Sequence, residues 1–279
     1  MAYLISDIRK LLHKNWLFQA VVLVMLVIMI ADPISAYFMN APYIDDDSDM
    51  SLNAFQYWFF LNTSGWGIMI YNVLVFVIPV LAAGMLFVGE DRGSALTLLI
   101  IRKGRGSYYL AKAAAVGLVT FVIFALLFLL NIAVTYLVFP ADAPLTEQYF
   151  YRVPKETMFC YSLYCLNPVY EALLYAFLNA LKLALYALFV LGVQEIARPK
   201  NALAALLLPY AVLRLGSYAA NLLLRGHMDI NITIVTQPMA ASALTSAISA
   251  QDVLLAFGSL ALVSAALLAV GYWRGREIL

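Results

Sequence analysis

The stretch VGEDRGSALTLLIIRKGRGSYYLAK, residues 88–112, places charge on both sides of a short apolar segment. Acidic residues precede the segment, which suits the positive end of a helix dipole, and basic residues follow it, which suits the negative end. Residues 94–101 therefore favour a short helix that Gly104 can terminate. Such a nearly all-apolar helix needs lipid, neighbouring helices or a partner protein to cover its face. A loop that only fixes topology would explain the basic residues, but it would not explain Glu90 and Asp91.

The sequence on either side of this stretch is too apolar for a soluble domain. The chain is 65% hydrophobic and 12% charged over 279 residues, whereas soluble domains are about half apolar and a quarter charged. A helix needs roughly 20 mainly apolar residues to cross a bilayer, and buried backbone groups in lipid must be satisfied within the protein. We therefore predict an all-α membrane protein with six transmembrane helices, at residues 16–38, 65–88, 108–138, 170–193, 202–224 and 253–272.

The distribution of Lys and Arg predicts the orientation, because cytoplasmic loops are enriched in both residues. Twelve of them lie at the chain ends and in the second and fourth connections, and Arg152, Lys155 and Arg225 lie on the opposite side. Both termini are therefore expected in the cytoplasm. The whole chain, residues 1–279, is expected to form one transmembrane domain in the plasma membrane of a bacterium.

Two further segments have a pattern of their own. Residues 1–15 carry apolar side chains at helical spacing with basic residues on other faces, which indicates an amphipathic helix on the inner membrane surface. An ordinary basic flank is the alternative. The segment 225–251 is too short and mixed to span the bilayer, yet it is unusually apolar for a solvent loop. We expect a re-entrant or interfacial segment there, between the fifth and sixth spans.

The order EDRGSALTLL followed by RKGRGSYYLAK resembles the acid–x–x–Gly–(Ser/Thr)–…–Arg–…–Lys signature of type-2 ATP-binding-cassette exporter permeases. Glu90, Gly93, Arg105 and Lys112 fall on that motif. Many relatives place a proline late in this connection, where Lys103 and Gly104 stand here. In the family the connection joins the second and third spans and forms a coupling helix that docks on the ATPase.

The resemblance implies a coupling loop at residues 89–107 and a partner that hydrolyses ATP. It assigns contact with the ATPase to Glu90, Asp91, Arg92, Gly93, Leu96, Leu98, Leu99, Arg102 and Arg105. No Gly-x-x-x-x-Gly-Lys-(Ser/Thr) phosphate loop occurs in the chain. ATP and Mg would therefore bind two copies of a separate ATPase subunit, and a second permease subunit would complete a homodimer or a heterodimer. The expected cargo is apolar or amphipathic: a peptide toxin or antimicrobial peptide, a drug or a lipid.

Polar residues and prolines inside the predicted spans are candidates for a translocation path. Charges within spans are costly and often functional, and prolines can kink a helix. The candidates are Pro79, Asn179, Lys182, Pro209 and Arg214. Asn179 and Lys182 share one side of the fourth span with Glu171. A salt bridge or a side chain that snorkels to the interface is the structural alternative for the charged residues.

The sequence offers little for catalysis or metal binding. His13 and His227 lie on opposite faces of the predicted topology, and no metalloprotease or Gly-x-Ser-x-Gly motif occurs. We predict no catalytic residue, no metal site and no cofactor on this chain. The sequence leaves two alternatives open for Cys160 and Cys165, free thiols or a disulfide bridge. The rival function is a secondary transporter or channel driven by an ion gradient, since three spans in each orientation permit inverted repeats.

Overall fold

The computed structural model describes residues 2–41, 53–63, 65–88, 104–140, 156, 158–197, 201–224, 239 and 248–274. These residues form helices and connecting turns, with no strand among them. The helices are α1 (Ala2–His13), α2 (Trp16–Asn40), α3 (Ala54–Tyr57), α4 (Trp66–Val88), α5 (Arg105–Val138), α6 (Tyr161–Leu166), α7 (Pro168–Ala197), α8 (Ala202–Leu224) and α9 (Ala250–Arg274). The prediction of an all-helical chain is confirmed for this part of it.

Five of the helices, α2, α4, α5, α7 and α9, are long and apolar enough to cross a membrane. The length and composition of these helices therefore indicate that the chain is an integral membrane protein. The remaining predicted span corresponds to α8, which begins and ends at the predicted residues, Ala202–Leu224. The side chains of α8 that the structure describes without interruption, Leu203–Gly216, are apolar, and this stretch alone is shorter than a membrane span. The count of six therefore stays a prediction.

Helix α7 lies at the centre of the bundle and packs against α4, α5 and α9, whereas α8 lies at the edge against α4 and α7. Its composition explains this position. Small residues such as Ala172, Ala180 and Ala187 let neighbouring helices approach closely. At Gly192, a side-chain carbon would lie 2.7 Å from Leu267 of α9, so the two helices touch where glycine leaves room.

Three prolines lie inside the described helices, Pro33, Pro79 and Pro209. At Pro33 and Pro209 an amide side chain from another helix replaces the lost hydrogen bond. Proline has no N–H, so Pro33 leaves the carbonyl of Met29, four residues earlier, without its helical donor. The Asn131 side chain of α5 donates to that carbonyl over 3.0 Å. Its oxygen accepts from the backbone N–H of Phe59 at 2.9 Å.

The second case is Pro209 of α8, which leaves the carbonyl of Ala205 without a donor. The Gln194 side chain of α7 donates to it over 2.8 Å. The two amide residues, Asn131 and Gln194, are buried, and so are Met29 and Ala205, whose carbonyls they contact. Neighbouring helices thus satisfy the freed backbone groups, as hydrocarbon surroundings require.

The connection between α2 and α4 is partly buried in the bundle. Its apolar residues Trp58, Phe59, Phe60 and Leu61 are each at most 3% exposed. The rings of Phe59 and Phe60 pack edge-on against aromatic side chains of α4 and α5. This segment closes the core at the end of the bundle opposite to α1.

At the same end, a carboxylate of α2 holds the start of α4. Asp32 is 1% exposed and accepts the backbone N–H of Gly67 at 2.9 Å. An acidic group at a helix N-terminus is stabilised by the helix dipole. A side-chain carbon on Gly67 would lie 2.8 Å from the Asp32 carboxylate, so this contact requires glycine.

Helix α1 forms over Ala2–His13, within the predicted residues 1–15, and packs mainly against α5. Leu11 is fully buried and Asp7 is 3% exposed, while Ile5 is 58% exposed. One side of α1, which includes Leu11 and the acid Asp7, therefore rests on the bundle, while the apolar side chain of Ile5 stays exposed. Neither sequence interpretation anticipated this contact with the bundle.

Candidate functional site

Lys182 lies deep inside the bundle. It is 2% exposed and stands near the middle of α7, about 20 Å along the axis from either helix end at 1.5 Å per residue. A lysine side chain cannot reach the helix ends from there, so snorkelling does not account for it. Glu171 lies about 16 Å away along the same helix, which is too far for a salt bridge between the two.

A chain of ring contacts connects Lys182 with Arg214 of α8. The Lys182 Nζ lies 6.0 Å from the ring centroid of Tyr186, which packs against Phe76 of α4 at 5.6 Å. The Arg214 guanidinium lies over that Phe76 ring at 4.9 Å. Cations are attracted to the faces of aromatic rings within about 6 Å. We call Lys182, Tyr186, Phe76 and Arg214 the cation–aromatic cluster.

Two buried hydroxyl groups accompany the cluster. Tyr71 and Tyr186 are both 0% exposed, and their hydroxyls make no hydrogen bond within the described part of the chain. The two side chains are close enough to interact electrostatically. Buried hydroxyls normally have a partner, and one without a partner is a candidate for ligand contact. Arg214, in contrast, is exposed on α8.

Asn179, one turn before Lys182, has a different role. Its side chain donates to the backbone carbonyl of Met239 and accepts from the backbone N–H of Met239, both at 2.9 Å. Met239 is fully buried. The amide therefore satisfies both backbone groups of a residue from the 225–251 segment, at a depth of about 16 Å along α7 from Pro168. The structure thus places Asn179 in a backbone contact with Met239, one helical turn before Lys182.

The remaining path candidates are two prolines, and both are buried. Pro79 and Pro209 lie inside α4 and α8, and Gln194 covers the carbonyl freed by Pro209. Glu171 is 1% exposed, and its Oε1 has no hydrogen bond within the described residues. The structure thus brings together Lys182 and Arg214 of the predicted path.

The predicted coupling residues Glu90, Asp91, Arg92, Gly93, Leu96, Leu98, Leu99 and Arg102 lie outside the described residues. Arg105 is the first residue of α5, and Gly104 before it has a φ of 80°, a left-handed conformation that favours glycine. Lys112, which falls on the family motif, is 1% exposed and donates to the Tyr108 hydroxyl at 3.1 Å.

Cys160 and Cys165 are both free. They line a shallow depression together with Glu156, Met158 and Tyr161. Burial raises the pKa of the Cys160 thiol, with a smaller contribution from the Glu171 charge. Among the described residues, no group of three or more His, Cys, Asp or Glu side chains is placed to hold a metal ion.

The residues that sequence reasoning missed are the ones that satisfy backbone groups. Asn131 and Gln194 have no motif around them, but each contacts a carbonyl four residues before a proline. A proline in an apolar run was the available signal for such a contact, although it does not identify the donor. Tyr71 and Tyr186 carry no signal that separates them from other core aromatic residues.

Comparison of the chain with protein-family models, with curated proteins and with solved structures finds no match.

Proposed function

We propose that the chain is the membrane subunit of an ATP-driven exporter and that a separate ATPase subunit supplies the energy. The carrying observation is the motif-bearing segment 88–112 together with the arrangement of the helices that flank it. The cargo is apolar or amphipathic, and the helices α4, α7 and α8 line its path.

The helices that flank the segment meet at one end of the bundle. Asn15, at the start of α2, donates to the backbone carbonyl of Leu81 near the end of α4 at 2.7 Å. Helix α1 contacts both α4 and α5. Force applied to the connection between α4 and α5 would therefore reach a packed group of helices, as a coupling element requires.

The start of α5 is firmly held, which suits transmission of force. The buried Lys112 bonds to the Tyr108 hydroxyl and lies 5.3 Å from that ring's centroid. The Tyr109 hydroxyl donates to Glu195 near the end of α7 at 3.3 Å. Since α5 and α7 pack along much of their length, a displacement of α5 would move the central helix.

The direction of the helices supports a sixth crossing by α8. The end of α7 lies beside the start of α5, through the contact between Glu195 and Tyr109. The start of α9 lies at the opposite end, where the carbonyl of Ile248 accepts from the N–H of Phe159 at 2.8 Å. From these two contacts we infer that the chain between α7 and α9 crosses the bundle, and α8 is the described helix in that interval. Cysteines introduced at Arg225 and Lys200 should then label from opposite sides of intact cells in a background without Cys160 and Cys165, and labelling from the same side would contradict the crossing.

The experiment that tests the function measures ATP hydrolysis by the purified complex with and without cargo. Glu90→Ala should leave the ATPase bound but reduce cargo-stimulated hydrolysis, because a charge at the coupling segment is lost. Glu156→Ala, an exposed acid near α6, is the matched control and should behave as wild type. Transport that continues without any ATPase and depends on an ion gradient would favour the rival secondary transporter.

A further inference from the structure

We propose that the cation–aromatic cluster binds the negatively charged head group of an amphipathic molecule whose apolar tail lies along α4 and α8. The inference rests on the proposed function for its role in transport, since it names the class of cargo. Binding itself does not depend on the ATPase.

The first argument is the concentration of positive charge at mid-membrane depth. Lys182 stands near the middle of α7 and Arg214 is the thirteenth of the 23 residues of α8. The rings of Phe76 and Tyr186 pack against each other, and Lys182 lies over Tyr186 while Arg214 lies over Phe76. Ionisable residues at such depth mark binding sites or pathways in membrane proteins. Two cations on one aromatic contact favour an anionic ligand.

The second argument is the pair of hydroxyls. Tyr71 and Tyr186 are fully buried and their hydroxyls make no hydrogen bond within the described residues. A phenol O–H donates to carboxylate or phosphate oxygens, and such charge-assisted bonds are stronger than neutral ones. Two donors beside two cations match a head group with several acceptor oxygens.

The third argument is access. Arg214 and Leu215 are exposed on the lipid-facing edge helix, whereas Lys182 is buried behind it. Tyr210 packs edge-on against Phe76 at 6.1 Å and contributes an apolar wall. The exposed Arg214 is therefore where a head group would first meet the cluster, while its tail lies against the apolar surfaces of α8 and α4. Carboxylate and phosphate head groups share this chemistry.

The test measures binding of cis-parinaric acid, a fluorescent fatty acid, to the purified full chain in nanodiscs of phosphatidylcholine. Its methyl ester has the same tail without the charge. We expect the wild-type chain to bind the acid at least about tenfold more tightly than the ester. Arg214→Gln should lower the affinity for the acid about tenfold. Tyr186→Phe keeps the ring and should weaken binding of the acid by roughly three- to tenfold. Arg9→Gln, at an exposed position of α1, is the control and should bind as wild type.

Equal binding of acid and ester by the wild-type chain would overturn the proposal, and so would unchanged acid binding by both Arg214→Gln and Tyr186→Phe. The comparison of acid with ester needs no variant, so it decides even where a variant fails to fold. Adding phosphatidylglycerol to the nanodiscs identifies the source of the head group: displacement of the acid indicates a resident anionic lipid, and retention indicates cargo. Because no ATPase is present, a failure to find an ATPase partner would leave this result intact.

Discussion

Replacement of Gln194 by Leu should destabilise the bundle only while Pro209 is present. In the wild-type chain, the Gln194 side chain is the donor to the Ala205 carbonyl, and Pro209 removes the helical donor. Leucine would leave that buried carbonyl unpaired, which costs about 1–3 kcal/mol. Interhelical hydrogen bonds in membrane proteins average about 0.6 kcal/mol and reach about 1.7. The change also removes the Gln194 Oε1, which has no hydrogen bond within the described residues, and this offsets part of the loss. We expect a net cost of about 1 kcal/mol.

In the Pro209→Ala background, residue 209 regains an N–H that can bond to the Ala205 carbonyl. Gln194→Leu should then cost less than about 0.5 kcal/mol of stability. The coupling energy between the two changes should therefore be similar in size to the cost of Gln194→Leu in the wild-type chain. The assay is unfolding by SDS in mixed micelles, followed by circular dichroism, for the four members of the cycle. Gln251→Leu, at an exposed position of α9, controls for the added apolar side chain. An equal cost of Gln194→Leu in both backgrounds would refute the reasoning.

Two further predictions concern the end of the bundle opposite to α1. Gly67→Ala should lower stability by about 1–3 kcal/mol, because its new carbon would lie 2.8 Å from the Asp32 carboxylate. The control is Gly106→Ala, whose new carbon meets nothing within 4 Å and which should unfold near the wild-type temperature. A Gly67→Ala protein as stable as wild type would contradict the role of the contact. With Cys165→Ser in place, Cys160 should react slowly with a maleimide at pH 8, since burial raises the pKa of its thiol and leaves less thiolate. Its rate should rise as the pH approaches 9.5, and a rate that does not change with pH would show that thiolate formation does not limit the reaction.

The positions of the helices were predictable because long apolar runs in lipid leave the backbone no alternative to helix. The predicted start at residue 202 and end at residue 224 coincide with α8. Other predicted ends differ by a few residues: the fourth span was expected over residues 170–193, whereas α7 begins at Pro168 and ends at Ala197. Composition alone cannot fix such ends, because they depend on caps and on polar residues such as Glu195 that neighbouring helices bury.

The packing was not predictable to the same degree. Residues 54–61 fall between the first two predicted spans, yet they lie buried in the core, because their aromatic side chains fill space between α4 and α5. Asp32 was not singled out, since its role depends on the start of α4 lying beside it. Lys182 and Arg214 were identified as intramembrane charges, but the rings between them come from different helices, and one sequence does not show which helices are neighbours.

The coupling assignment is tested most directly by one measurement: purification of the tagged chain in mild detergent, followed by mass spectrometry of the proteins bound to it. We expect a nucleotide-binding ATPase of the ATP-binding-cassette type in near-stoichiometric amount. The Leu98→Asp variant should lose it, because the change puts a charge into the proposed contact, and Leu145→Asp in the third connection should retain it. If no such ATPase is bound, or if the Leu98→Asp variant binds it as well as wild type, residues 89–107 do not form the proposed ATPase contact.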